Sequence, residues 1–236
     1  MKTNLMKKYV TWAKLVVLLT LYACNSEERN SVDPDRTMTS DFQSGVEGWA
    51  GDYALYNLAD TTKVAFSMER DSLPSDIDSL RWSLRLGGTN VGDSIFLFLK
   101  KEIAGLNPEK TYNVSFDINL ATNFPDLPGA TGTTISLKAG ASDTEPAKKL
   151  AGNYYNFSLN KGLWNEDGAE MVIIGNLVNN SARAQYQLVN RNNGSKTISV
   201  KPDVNGKIWV CIGEDTRYKG RTVIYYDMIK VIVKEQ

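Results

Sequence analysis

The sequence contains no histidine. That excludes Ser-His-Asp and Cys-His catalysis, histidine-ligated zinc and imidazole acid–base chemistry near neutral pH. It has two cysteines, Cys24 and Cys211, too few for a disulfide framework or a cysteine-rich metal site. Basic residues number 27 and acidic residues 27, so the basic excess that nucleic-acid readers carry is missing, and no nucleic-acid partner is expected. The apolar run Leu15–Ala23 stops well short of the roughly 20 residues that a spanning helix needs. No heptads, no solenoid period and no GxGxxG after a strand occur. What remains is 236 residues with 42% hydrophobic content. That suits one globular domain with a sizeable core and argues against disorder.

The first 23 residues read as an address. They hold Lys2, Lys7, Lys8 and Lys14, no acid, and then the uncharged Leu15–Ala23, a positive region followed by a short apolar one. Without them 23 basic residues face 27 acidic ones, a net charge of −4. Leu21-Tyr22-Ala23-Cys24 resembles the lipobox of bacterial lipoproteins. The resemblance implies a signal peptide over 1–23, acyl chains on Cys24 and a membrane partner through that anchor. It places the protein at the outer membrane or cell surface of a Gram-negative bacterium. Asn25 onward is polar and runs into Val32-Asp33-Pro34-Asp35, so 24–40 reads as a flexible tether. Glu27-Glu28 is similar to the export signal of some cell-surface lipoproteins, and a solvated linker is the other reading.

From Phe42 onward the dominant period is two. Leu80–Leu86, Tyr112–Leu120, Ile135–Ala139 and Ile229–Val233 alternate apolar with polar, as strands with one wet face do. Ile95–Leu99 and Val172–Ile174 are continuous apolar runs, expected of strands covered on both sides. Trp82, Trp209 and Cys211 sit inside strand patterns and read as core, and Trp49 and Trp164 lie nearer loops. Turn residues at Gly87-Gly88, Asn107-Pro108, Asn192-Asn193-Gly194 and Asn205-Gly206 separate the runs. Only Lys101–Gly105 and Ala147–Leu150 look helical, about one turn each. The expected fold is all-β, an antiparallel sandwich of the jelly-roll type, in a single domain over 41–236.

Asp41-Phe42 leading to Gly48-Trp49, Gly105-Leu106-Asn107-Pro108 ahead of Tyr112, and Tyr226-Asp227-Met228-Ile229 near the end form a pattern that resembles carbohydrate-binding modules of the jelly-roll type. It is also similar to a group of uncharacterised surface lipoproteins. The resemblance implies a structural calcium ion held by Asp41 and Asp227, with backbone carbonyls completing the six to eight oxygens it prefers. A turn-capping Asp41 and a solvent-facing Asp227 are the alternative.

Two loops look suited to a ligand. Thr122–Thr133 offers Phe124 and Asp126, and Gly213–Thr222 offers Glu214, Asp215, Arg217 and Tyr218. An aromatic ring beside charged hydrogen-bonding groups suits a sugar's mixed surface. The two loops are expected at one end of the sandwich. Glu214 and Asp215 are adjacent on one strand and point to opposite faces, which argues against a catalytic pair. The expected function is therefore non-catalytic binding, with glycan as ligand. The alternatives are a structural or adhesive surface lipoprotein without a small-molecule ligand, and a glycan-active hydrolase or lyase.

Overall fold

The computed structural model describes residues 35–236; the leader, Cys24 and most of the expected tether lie outside the described residues. Alternating segments become strands of two antiparallel sheets. The first sheet joins Arg36–Ser40 (β1), Ser67–Ser72 (β4), Trp82–Asn90 (β5), Tyr112–Thr122 (β7), Gln187–Asn192 (β12), Ile198–Val200 (β13) and Gly220–Glu235 (β15). The second joins Ala50–Ala54 (β2), Ile95–Ile103 (β6), Ile135–Ser142 (β8), Met171–Asn176 (β11) and Ile208–Thr216 (β14). The chain passes from one sheet to the other at β5–β6, β7–β8 and β14–β15. The protein is an antiparallel β-sandwich of the jelly-roll type.

Two corrections concern boundaries. The folded unit begins before Asp41: Arg36–Ser40 pairs with Ile229–Val233 and is part of the first sheet. Neither expected helical turn forms. Lys101–Ile103 continues β6, with Ile103 opposite Ile208. Lys148–Ala151 is a strand (β9) that pairs with Tyr154–Phe157 (β10), which in turn pairs with Tyr56–Asn57 (β3).

That third, three-stranded sheet explains the run Ile95–Leu99. Ile95, Leu97 and Leu99 point between the two large sheets, where they meet Leu84, Leu86, Ile118, Leu120 and Ile212. Phe96 and Phe98 point outward and are equally buried, packed with Phe157, Leu159, Met171 and Cys211. The rings of Phe96 and Phe98 lie 4.7 and 4.9 Å from that of Phe157. The second sheet is thus covered on both faces. Cys211 is a buried apolar residue, its thiol pKa pushed up by burial.

Two local motifs set the strand geometry. In Gly105–Tyr112 the Asn107 N–H donates to the Tyr112 hydroxyl at 2.9 Å, and the Asn107 side chain caps Glu109 N–H at the same distance. Gly105 supplies the positive φ of +78° that starts this turn. In β15 the register to β7 shifts between Tyr226 and Met228. Asp227 is the extra residue of this bulge, so the buried parity passes from Ile224 and Tyr226 to Ile229 and Val231.

Candidate functional site

The bulge places Asp227 where calcium had been expected. Its carboxylate is 4% exposed, and both oxygens accept from the Arg81 guanidinium. Burial raises its pKa and Arg81 opposes that rise, with Asp41 and Asp78 adding to it. Asp41 caps its own turn, accepting from Gln43 N–H at 3.0 Å. Among the described residues no group of three or more His, Cys, Asp or Glu could hold a metal. A cation is supplied here by the chain itself, and these residues do not fit a calcium site.

The two expected loops do meet, but as packing. The rings of Phe124 and Tyr218 lie edge to face, 6.0 Å apart, and both rest on the core. Phe124 carries its loop against the opposite segment, its carbonyl accepting from Asn179 N–H at 2.7 Å. Asp126 is exposed beyond it. Glu214 and Asp215 are not loop residues. Both lie in β14, at 0% and 1% exposure, and only 217–219 forms the turn. Glu214 shares the inward parity of Ile208, Val210 and Ile212. Its Oε1 accepts from Thr222 Oγ1 at 2.8 Å, and burial pushes its pKa up to about 8. Asp215 points the other way, to the covered outer face.

The tryptophans also differ from expectation. Trp49 is 4% exposed and donates to Ser40 Oγ at 3.0 Å. Trp82 is 40% exposed, with the Arg70 guanidinium 3.9 Å above its ring. Trp209 is half-buried on the outer face of β14, 5.9 Å from the Lys100 ammonium.

Asp215 marks the site. The segment 158–168 crosses the outer face of the second sheet beside β10 and leaves a cleft of about 640 Å³. Its apolar lining is Leu55, Phe157, Leu159, Leu163 and Trp164. Its polar lining includes Asp93, Ser94, Asn156, Asn160, Lys161, Asp215 and Arg217. The Arg217 guanidinium lies 5.9 Å from the Trp164 ring. Both the volume and the apolar-with-polar lining match small-molecule sites.

A buried lysine shapes the cleft wall. Lys138 is fully buried, and its ammonium donates to the carbonyls of Lys161 (2.6 Å), Leu163 and Glu166 (2.7 Å). These three acceptors fold the segment around one cation. Gly162 makes the tight turn: at φ +70° a Cβ would come within 2.6 Å of the Asp167 and Glu166 carbonyl oxygens. Asp215 Oδ2 accepts from Lys161 Nζ at 2.5 Å and lies 3.7 Å from Lys138 Nζ. Burial lowers the Lys138 pKa to about 8, with Asp215 opposing and Lys161 reinforcing. Asp215 Oδ1 is buried and has no hydrogen-bond partner among the described residues.

Of the expected ligand residues, Asp215 and Arg217 therefore line the cleft, and Phe124, Asp126, Glu214 and Tyr218 do not. Trp164 was visible in the sequence as a loop aromatic. Lys138 and Lys161 gave no such signal, because their role depends on a cover segment distant in sequence.

Fold and site together define a β-sandwich domain with a mixed apolar and polar cleft on one covered face. No family model matches the sequence, and no curated protein matches it. Solved structures with a similar strand arrangement include the enzymatically active domain of bacteriophage CBA120 tailspike protein 4, at 11% identity and a TM-score of 0.34. The match covers 84% of this chain and 20% of that one. A carbohydrate-binding module described as recognising mannan matches at 13% identity and a TM-score of 0.37, covering 85% of this chain and 99% of that one. A family 11 carbohydrate-binding module from Clostridium thermocellum, in complex with a mixed-linked tetrasaccharide, matches at 9% and 0.34, covering 83% and 94%. At these scores they add nothing to the reading of the cleft.

Proposed function

We propose that the protein is a non-catalytic glycan-binding module, held at the cell surface by acyl chains on Cys24. The observation that carries the glycan reading is the cleft built from Trp164, Leu163 and Phe157 on one side and Asn156, Asn160, Arg217 and Asp215 on the other. Sugar rings offer apolar CH faces to an indole and hydroxyls to amides and charges. Asp215 is 1% exposed, and its Oδ1 has no hydrogen-bond partner among the described residues. The same aspartate is committed to Lys161, which suits binding better than proton transfer.

Trp164→Ala is expected to weaken glycan binding by at least about tenfold, as loss of a central aromatic anchor does, without changing the melting temperature by more than a few degrees. A glycan array followed by calorimetric titration checks both. Unchanged affinity moves the site elsewhere. A protein that binds no glycan on the array favours the structural or adhesive reading.

For the anchor, the support is the sequence Leu21–Cys24. Among the described residues no helix is long and apolar enough to cross a membrane. Acyl chains contribute about 0.8 kcal/mol per buried CH₂. Cys24→Ser is expected to move the protein from the membrane to the soluble fraction on cell fractionation. A variant that stays in the membrane fraction defeats the proposal.

A further inference from the structure

A second cavity, of about 230 Å³, adjoins the cleft. Leu55, Asp93 and Ser94 line both. Its remaining wall comes from the third sheet, the end of β5 and the β5–β6 turn, including Tyr56, Asn57, Thr89, Asn90 and Tyr154. At this size it falls below the roughly 300 Å³ at which small-molecule sites begin. It is too small to be an independent site, but it is an extension of the larger one.

Leu55 stands at the junction. Its backbone has φ +65°, a left-handed conformation uncommon for a residue with a Cβ. The Leu55 N–H donates to Tyr155 O at 2.7 Å, which ties β2 to β10 across the boundary. The side chain packs with the cluster of Phe96, Phe98 and Phe157 and forms an apolar sill between the two cavities.

The first cavity carries two half-buried aromatic rings, Phe157 and Trp164, and the second carries one, Tyr154. Each also carries an open amide, Asn156 and Asn160 in the first and Asn57 in the second, whereas Asn90 is 3% exposed and its amide donates to the carbonyls of Thr216 and Tyr218. The same pairing of ring and amide is therefore repeated on both sides of Leu55. A single sugar would use one half of this arrangement. A linear chain would use both.

We infer that the two cavities form one groove that holds an extended glycan chain, with successive sugar units at Trp164 and at Tyr154. This rests on the glycan-binding reading above. It adds that the protein recognises polymers by length, and that the third sheet supplies part of the binding surface.

The test is affinity electrophoresis of the whole protein through gels containing galactomannan, xyloglucan, mixed-linkage β-glucan or arabinoxylan, beside titration with the component monosaccharides. The expected result is retardation by at least one polymer and much weaker binding of its monosaccharides. Tyr154→Ala and, separately, Asn57→Ala are expected to weaken retardation by about three- to tenfold, the range of one lost stacking or polar contact. Melting curves show that each variant is folded. Monosaccharides that bind as tightly as the polymer overturn the extended groove and leave glycan binding intact. So does retardation that depends on Trp164 but is unchanged in both second-cavity variants. If neither polymers nor monosaccharides bind, the glycan reading itself falls.

Discussion

Lys138→Met is expected to destabilise the protein by about 3–5 kcal/mol and to abolish ligand binding. The methionine fills a similar volume and carries no donors. The carbonyls of Lys161, Leu163 and Glu166 would then lose the cation they share. Each buried carbonyl left unpaired costs about 1–3 kcal/mol, reduced where water can enter. Asp215 would keep Lys161, so the charge left behind is balanced and the loss falls on the 158–168 cover. That cover positions Trp164. Chemical denaturation measures the stability, and glycan titration measures the site. A variant that retains both would mean that the segment is held by its own turns, such as the Asn160 cap on Gly162 N–H at 3.2 Å.

This lysine also shows how far the sequence could be read. Ile135, Leu137 and Ala139 alternate with Ser136 and Lys138, and that alternation yields β8 correctly. It also assigns Lys138 to a wet face, yet every residue of β8 is buried. Period two tells which residues share a face. It does not tell whether a distant segment covers that face. Residues 158–168 and β10 do so here, and nothing in the spacing of β8 announces them.

The same limit explains Trp82. It shares parity with Leu84 and Leu86, which are fully buried. Leu80, on the same parity, is 88% exposed, and Trp82 begins β5 at the rim of the sandwich. Parity was right and the position of the rim was not visible. The double-sided burial of Ile95–Leu99 was visible, because a run with no polar residue leaves no wet face. Glu214 was legible in principle. Continuing Ile208, Val210 and Ile212 by two residues lands on it, and so places a carboxyl in the core. The charges of 214–221 read as a loop instead. The cleft itself was legible only in Trp164, Asp215 and Arg217. It is assembled from Leu55 after β2, β10, the β5–β6 turn, the end of β14 and the 158–168 segment, which meet only in the folded chain.

That core carboxyl carries the largest expected pH effect. Glu214 is fully buried, its Oε1 bonded to Thr222 and its Oε2 without a partner among the described residues. Desolvation raises its pKa from 4.5 to about 8. Between these values the folded state keeps the proton and the unfolded state gives it up. Raising the pH through this window therefore favours the unfolded state, by up to about 1.4 kcal/mol per pH unit. The stability that a protonated Glu214 retains is fully present below about pH 4.5 and is lost by about pH 8. Lys138 acts in a separate window with the opposite sign. Its pKa falls from 10.5 to about 8, so stability recovers as the pH rises between those values. The wild-type curve is therefore expected to have a minimum near pH 8. Glu214→Gln keeps the shape and the bond from Thr222 and removes the titration. It is expected to flatten the slope between pH 4.5 and 8 and to raise stability at pH 8 by a few kcal/mol. Denaturant titrations at half-unit pH intervals on both proteins read this directly. An identical slope in the variant would assign the pH dependence to other groups and leave Glu214 ionised in the core at neutral pH.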